Sequence, residues 1–230
     1  MKSAKKPVKW IGLAAILLLP AFILLLLSRG DHQFTKLPHL GQKVPGTKIV
    51  EGKEVPDTLF HTVPNWTFIN QFGEEVSQND YDDKIYIVDF IFTSCPGICP
   101  KMTTHMSMLQ YKLDKPGLDD IPFISYTVDP ETDTPDVLKR YGKDHEANFE
   151  RWTFLTGDKK DIYELGVLGY LQSTQEDALA EGGFLHSQYF ILMDWEHHIR
   201  GLYDGTDINA VNDMADDIRI LLKEDQRRKM

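Results

Sequence analysis

Two cysteines are present among 230 residues, four positions apart, in Phe92-Thr93-Ser94-Cys95-Pro96-Gly97-Ile98-Cys99-Pro100. Sulfur at that spacing can close a disulfide, cycle as a redox dithiol, or clamp a soft metal ion. The disulfide is the plainest option. Closing a loop of about five residues stabilises a fold by only about 2 kcal/mol in the chain-entropy model, and domains that depend on disulfides are usually short of apolar core. The two active options share a physical basis. Unpaired N–H groups at a helix start, together with the helix dipole, favour an anion. A cysteine there is expected to titrate low and present thiolate, the form that attacks disulfides and binds metals. Pro100 fits the first helical turn, where a missing N–H costs nothing, and so places Cys99 near the cap.

Three residues separate the thiols, where thioredoxin-type oxidoreductases use two. The longer loop lets both sulfurs turn toward one ion. Two thiolates suit Cu(I), whereas zinc recruits more ligands and an iron–sulfur cluster normally takes four cysteines. A third ligand would be a histidine distant in sequence, from among His32, His39, His61, His105, His145, His186, His197 and His198. His186 stands at a strand start, after the acidic stretch 173–183, which reads as an exposed loop. Taken alone, such a histidine is most often solvated or a cap. His197 and His198 read as a hairpin turn that needs no metal. Met102 and Met106 fall on the helical face of Leu109 and Leu113 and read as core, leaving His105 and Met108 for the surface.

These residues need a frame, and the pattern supplies an alternation of strands and helices. Ile85 to Phe92 is a near-continuous apolar run, expected of a strand covered on both faces. Cys99, Met102, Met106, Leu109 and Leu113 recur at helical spacing directly after it. Trp66 to Asn70 and Phe123 to Val128 read as strands. Thr134 and Pro135 provide a cap and first turn for a helix over Asp136 to Lys143, and Asp158 caps another running to Leu168. Ser187 to Asp194 and Ile199 to Tyr203 read as a hairpin. Ile208, Val211, Ala215, Ile218 and Leu222 line a last helix. This order predicts an α/β, thioredoxin-like fold with the thiols at its reactive corner.

Residues 1–30 carry five basic side chains and no acid, and Trp10 to Leu27 contains no charge. A span of about 18 residues just crosses a hydrocarbon core of about 30 Å, and the segment Leu24-Leu25-Leu26-Leu27-Ser28-Arg29 has no small-x-small cleavage site. An uncleaved N-terminal transmembrane helix is therefore expected, with the lysines holding the N-terminus in the cytoplasm. The short basic start favours a bacterial inner membrane, with a single pass and the C-terminal domain on the periplasmic side. Residues 31–60, with scattered prolines and charges, read as a linker, and 61–230 as one domain. Since the total charge is −10, residues 31–230 carry −15. So acidic a domain argues against nucleic acid, which needs a basic surface.

Three motifs in order carry a resemblance: the thiol loop Phe92 to Pro100, then Val128-Asp129-Pro130-Glu131-Thr132-Asp133-Thr134-Pro135, then Leu185-His186-Ser187 before an apolar strand. Over roughly residues 60 to 225 the chain resembles the Sco/SenC family, membrane-anchored thioredoxin-like copper proteins of cytochrome c oxidase assembly. The resemblance implies that Cys95, Cys99 and His186 bind one copper, as Cu(I) or Cu(II), with Asp129 as an outer-shell carboxylate. It implies delivery of copper to the copper-A site of oxidase subunit II, or reduction of that site's cysteines. The second duty would make the protein a thiol–disulfide oxidoreductase with Cys95 and Cys99 catalytic, so enzyme status stays open at this point. Periplasmic thiol reductases and copper donors are the further partners implied. A copper or redox sensor is the weakest alternative, since the nine-residue N-terminal tail offers no output module.

Overall fold

The computed structural model describes residues 18–19, 36–50, 52–172, 175–176, 184–185 and 187–230. Leu18 and Leu19 are helical, and the rest of the expected membrane span lies outside the described residues. Among the described residues no helix is long and apolar enough to cross a membrane.

Residues 36–230 form one unit around a seven-stranded mixed sheet. At its centre β5 (Tyr86–Ile91), β6 (Phe123–Thr127) and β7 (Trp152–Thr156) run parallel. Two helices connect them, α1 (Ile98–Lys112) and α2 (Pro135–Asp144). Parallel strands need such crossovers, and the helices cover the sheet faces. All six residues of β5 are accordingly buried. On one flank β10 (Tyr189–Met193) pairs antiparallel with β5, and β11 (Ile199–Asp204) with β10. On the other flank lie β3 (Thr67–Asn70) and β4 (Glu75–Ser77), with β3 antiparallel to β7. The last helix, α4 (Ile208–Arg228), follows α3 (Lys159–Glu164) and packs against α1 and β11.

Alternation along β5 sorts the core into two halves. Phe90 stacks on Tyr126, which meets Trp66, Phe68 and Tyr170 edge-on or tilted at centroid distances of 5.4–5.7 Å. Asp89 points the other way, to Ser125 and Trp152. Met102, Met106, Leu109 and Leu113 are fully buried, as their helical spacing predicts, and Met108 is exposed. Asp158 caps α3 by accepting from the N–H groups of Lys160 and Asp161. The helix expected to reach Leu168 changes at Leu165 into a π-helical turn, Leu165–Gly169, closed by the Tyr170 N–H on the Leu165 carbonyl. Along α4 the buried face is Val211, Met214, Ala215, Ile218 and Leu221, while Ile208 is exposed and Leu222 only partly covered.

Two departures from the sequence expectation bear most on the frame. The linker 31–60 contains an antiparallel hairpin of β1 (Lys43–Val50) and β2 (Lys53–Phe60). Both of its faces are largely exposed, so no apolar alternation marks it. Strand β7 is the second, a five-residue element with too short a run to signal its period.

Candidate metal and thiol centre

The thiol loop leaves the C-terminal end of β5 and turns into α1. Cys95 donates its N–H to the Phe92 carbonyl at 3.2 Å, closing a turn. Gly97 is the N-cap, so Cys99 and Pro100 stand in the first turn of α1, as the proline predicts. The two cysteines are not joined in a disulfide; Cys95 is 7% exposed and Cys99 fully buried. The Cys95 side chain neighbours that of Cys99 closely enough to act on its thiol. The expectation of a low-titrating helix-start thiol fails at Cys99. Burial pushes its thiol well above the ordinary range, outweighing a backbone hydrogen bond from Phe92. The charges of Cys95 and Asp89 push the same way.

Around the thiols the loop is held by groups from β6 and α2. Asp133, fully buried, accepts from the Thr93 N–H at 3.0 Å and from the hydroxyls of Thr93 and Thr127. It thereby ties the thiol loop to the β6–α2 connection. Asp129, also buried, sits in that connection; its carbonyl accepts from Asp133 N–H at 2.8 Å and its N–H donates to Thr127 Oγ1. Tyr163 donates to the Val128 carbonyl at 2.8 Å and fixes the end of β6. Thr103 donates to the Cys99 carbonyl at 2.9 Å and meets the Tyr141 hydroxyl at 2.6 Å.

Asp89 lies beneath this site, fully buried on β5. One carboxylate oxygen accepts from Ser125 Oγ at 2.6 Å, and Ser125 in turn accepts from Trp152 Nε1 at 2.9 Å. The other oxygen has no hydrogen-bond partner. Burial pushes this carboxyl up to about 7. The sequence held a signal for it, a lone acid inside an apolar strand, and the same holds for Asp133, a second acid in the motif that drew attention to Asp129.

His186 lies outside the described residues. Of the loop that precedes it, Gln175–Glu176 (β8) pairs with Phe184–Leu185 (β9). Ser187, on its other side, is buried and donates to Gln172 Oε1 at 2.5 Å. The structure therefore brings together Cys95, Cys99, Asp133, Asp129 and Asp89 at one end of the sheet. Two sulfur donors side by side fit a soft ion such as Cu(I).

Of the remaining histidines, His32 lies outside the described residues and the others are placed elsewhere. His105 Nδ1 contacts the Gly205 carbonyl at 2.7 Å, and His61 Nε2 the Gly169 carbonyl at 2.7 Å. His197 bridges the Tyr86 hydroxyl at 3.0 Å and Asp82 at 2.8 Å, a role that its reading as a simple turn residue missed.

Fold and site together define a thioredoxin-like α/β domain with a paired-thiol loop at the start of its first crossover helix. The family model SCO1/SenC matches residues 56–223, and the chain belongs to that family. A SCO1 protein homolog of Bacillus subtilis is 33% identical over 168 residues, covering 73% of this chain and 86% of that protein. The solved structure of BsSco, described as a member of the Sco family of cytochrome c oxidase assembly proteins with a disulfide switch, is 32% identical. It superposes with a TM-score of 0.63 over 70% of this chain and 94% of its own. ScoI of Bradyrhizobium japonicum, solved with copper bound, shares the fold at 23% identity and a TM-score of 0.57, over 70% of this chain and 99% of its own.

Proposed function

We propose that this protein is a membrane-anchored copper-binding assembly factor. It holds one copper ion, as Cu(I) or Cu(II), on Cys95, Cys99 and His186, and delivers it to, or prepares, the copper-A site of cytochrome c oxidase subunit II. The observation that carries this reading is the pair of neighbouring thiols at the start of α1. Membership of the SCO1/SenC family supports the assembly role. Asp133 keeps the thiol loop in place, and Asp129 stands beside it as an outer-shell group. A bound cation would supply the positive charge that lets buried Cys99 give up its proton. The segment Trp10 to Leu27 would anchor the chain in a bacterial inner membrane with the domain on the periplasmic side, where copper donors and thiol reductases can reach it.

A second reading is favoured by the unequal burial of the two thiols. Cys95, the outer one, would attack a partner disulfide and expel one partner thiolate. Cys99, losing its proton to solvent, would then attack the Cys95 sulfur. The partner would leave as a dithiol, and this chain would be oxidised by two electrons to a Cys95–Cys99 disulfide.

Copper titration of the reduced full-length chain in detergent decides between them. One equivalent of Cu(II) should give strong thiolate charge-transfer absorption that Cys95→Ser or Cys99→Ser abolishes. His186→Ala should weaken binding and leave the fold intact. Spectra unchanged in the cysteine variants would refute the ligand set. Weak affinity for both copper states, beside rapid disulfide exchange with an oxidised copper-A domain, would establish the second reading instead.

A further inference from the structure

A second cluster of ligand-type side chains lies at the other end of the sheet. Met193 of β10 is in register with Tyr86, the first residue of β5, so the turn after β10 is remote from the thiol loop. In that turn Asp194 is fully buried. One of its oxygens accepts from the N–H groups of Glu196 and His198 at 3.0 and 2.9 Å. The other accepts from Arg200 at 3.0 Å and has two imidazole nitrogens close by: His198 Nδ1 at 3.4 Å and His39 Nε2 at 3.8 Å. His198 Nδ1 is buried and makes no hydrogen bond. His39 arrives from the segment Lys36–Leu40, stacked on Phe60 at a centroid distance of 3.9 Å.

The His198–Asp194 distance is that of ligands around an ion, and His39 stands somewhat wider. With metal–ligand bonds of about 2.1 Å, tetrahedral ligand atoms stand about 3.4 Å apart. Here one atom from each of His39, Asp194 and His198 lies within 4.8 Å of the other two. His39, the widest of the three, has a side chain that is 26% exposed. The network around the carboxylate also matches a ligand's support, since ligating carboxylates are normally hydrogen-bonded by outer groups. Arg200 does not overload the site with positive charge, because Glu224 pairs with it at 2.8 Å.

We propose that His39, Asp194 and His198 form a thiol-free site for a borderline divalent ion of the Zn(II) or Cu(II) class. Two nitrogens and one carboxylate oxygen are the donor set those ions prefer, in contrast to the soft thiol pair. The fourth position falls to water or to Glu196, whose exposed carboxylate stands 3.8 Å from His198 Nδ1. The site joins two stretches distant in sequence. Leu40 donates to the Ile199 carbonyl at 2.8 Å and Arg200 to the Leu37 carbonyl at 2.7 Å, so a bound ion would complete the fastening of residues 36–40 onto the β10–β11 turn.

The test uses the full-length chain in detergent with both thiols removed, Cys95→Ser/Cys99→Ser, titrated with zinc alone by calorimetry and with Cu(II) by electron paramagnetic resonance. One equivalent should bind, with nitrogen and oxygen ligation, and zinc should raise the melting temperature. Losing an outer partner of a metal site costs about 10–100-fold in affinity, so losing a ligand by His39→Gln should cost at least as much and remove the thermal shift. His198→Gln should do the same, but it alters a buried turn; the decision therefore rests on His39→Gln, whose side chain is 26% exposed. No binding by the thiol-free chain, or binding undiminished by His39→Gln, would overturn the proposal.

Discussion

The two ends of the central sheet carry polar clusters built on opposite terms. At the C-terminal end of β5, burial raises the Cys99 thiol and the Asp89 carboxyl, and Asp133 ties the thiol loop to the β6–α2 connection. At the N-terminal end, Asp194 is surrounded by Arg200, two histidines and backbone N–H groups, so its charge is met on every side. The first end is shaped by burial, the second by hydrogen bonds and charge gathered on one carboxylate. One sheet thus carries two thiols at one end and two imidazoles with a carboxylate at the other.

Breaking the well-paired end should cost most. Arg200→Ala leaves Asp194 and Glu224 without their buried cation and the carbonyls of Leu37 and Pro38 without a donor. Removing one partner of a buried ion pair typically costs about 3–5 kcal/mol, which urea unfolding at neutral pH would read.

The ends should also respond to pH with opposite sign. Asp89 holds its proton up to about 7 in the folded chain against 3.8 for the free group. Its contribution is therefore present below about pH 4 and lost as pH rises toward 7, by up to about 4 kcal/mol. Asp89→Asn should abolish that slope in urea midpoints taken from pH 4 to 8. Third in size is Asp133→Ala, which strips the Thr93 and Thr127 groups of their acceptor. A cost of about 2–3 kcal/mol is expected in unfolding, with weakened copper affinity. His39 works in the reverse direction to Asp89. Folded at about 4 against 6.5 free, it contributes stability above pH 6.5 that is lost as pH falls to 4. The full shift must be discounted for its exposure, leaving about 1 kcal/mol. Comparing His39→Gln with Asp89→Asn separates two slopes that partly cancel in the parent chain. Asp158→Ala, which removes an α3 cap remote from this comparison, should cost only about 1 kcal/mol by thermal unfolding.

What was legible in the sequence followed from repetition. The apolar run of β5, the 3.6-residue spacing of Met102, Met106, Leu109 and Leu113, and Pro100 behind Cys99 each state a local conformation several times over. Strand β7 is short, and the β1–β2 hairpin buries neither face, so neither leaves a pattern to read. Asp89 shows in the sequence as a lone acid in an apolar strand, but periodicity reports only which face a residue takes, not that its carboxyl finds one partner there. The His39–Asp194–His198 cluster was illegible for a different reason. Its members are brought together by the register of β10 on β5 and by the path of residues 36–40 across the β10–β11 turn, neither of which a spacing rule contains.

X-ray absorption at the copper edge of the singly loaded, reduced full-length chain counts sulfur donors directly. Two sulfurs in the parent chain and one in either Cys95→Ser or Cys99→Ser are the expected result. A copper ion ligated only by nitrogen and oxygen in the parent chain would contradict the paired-thiol centre.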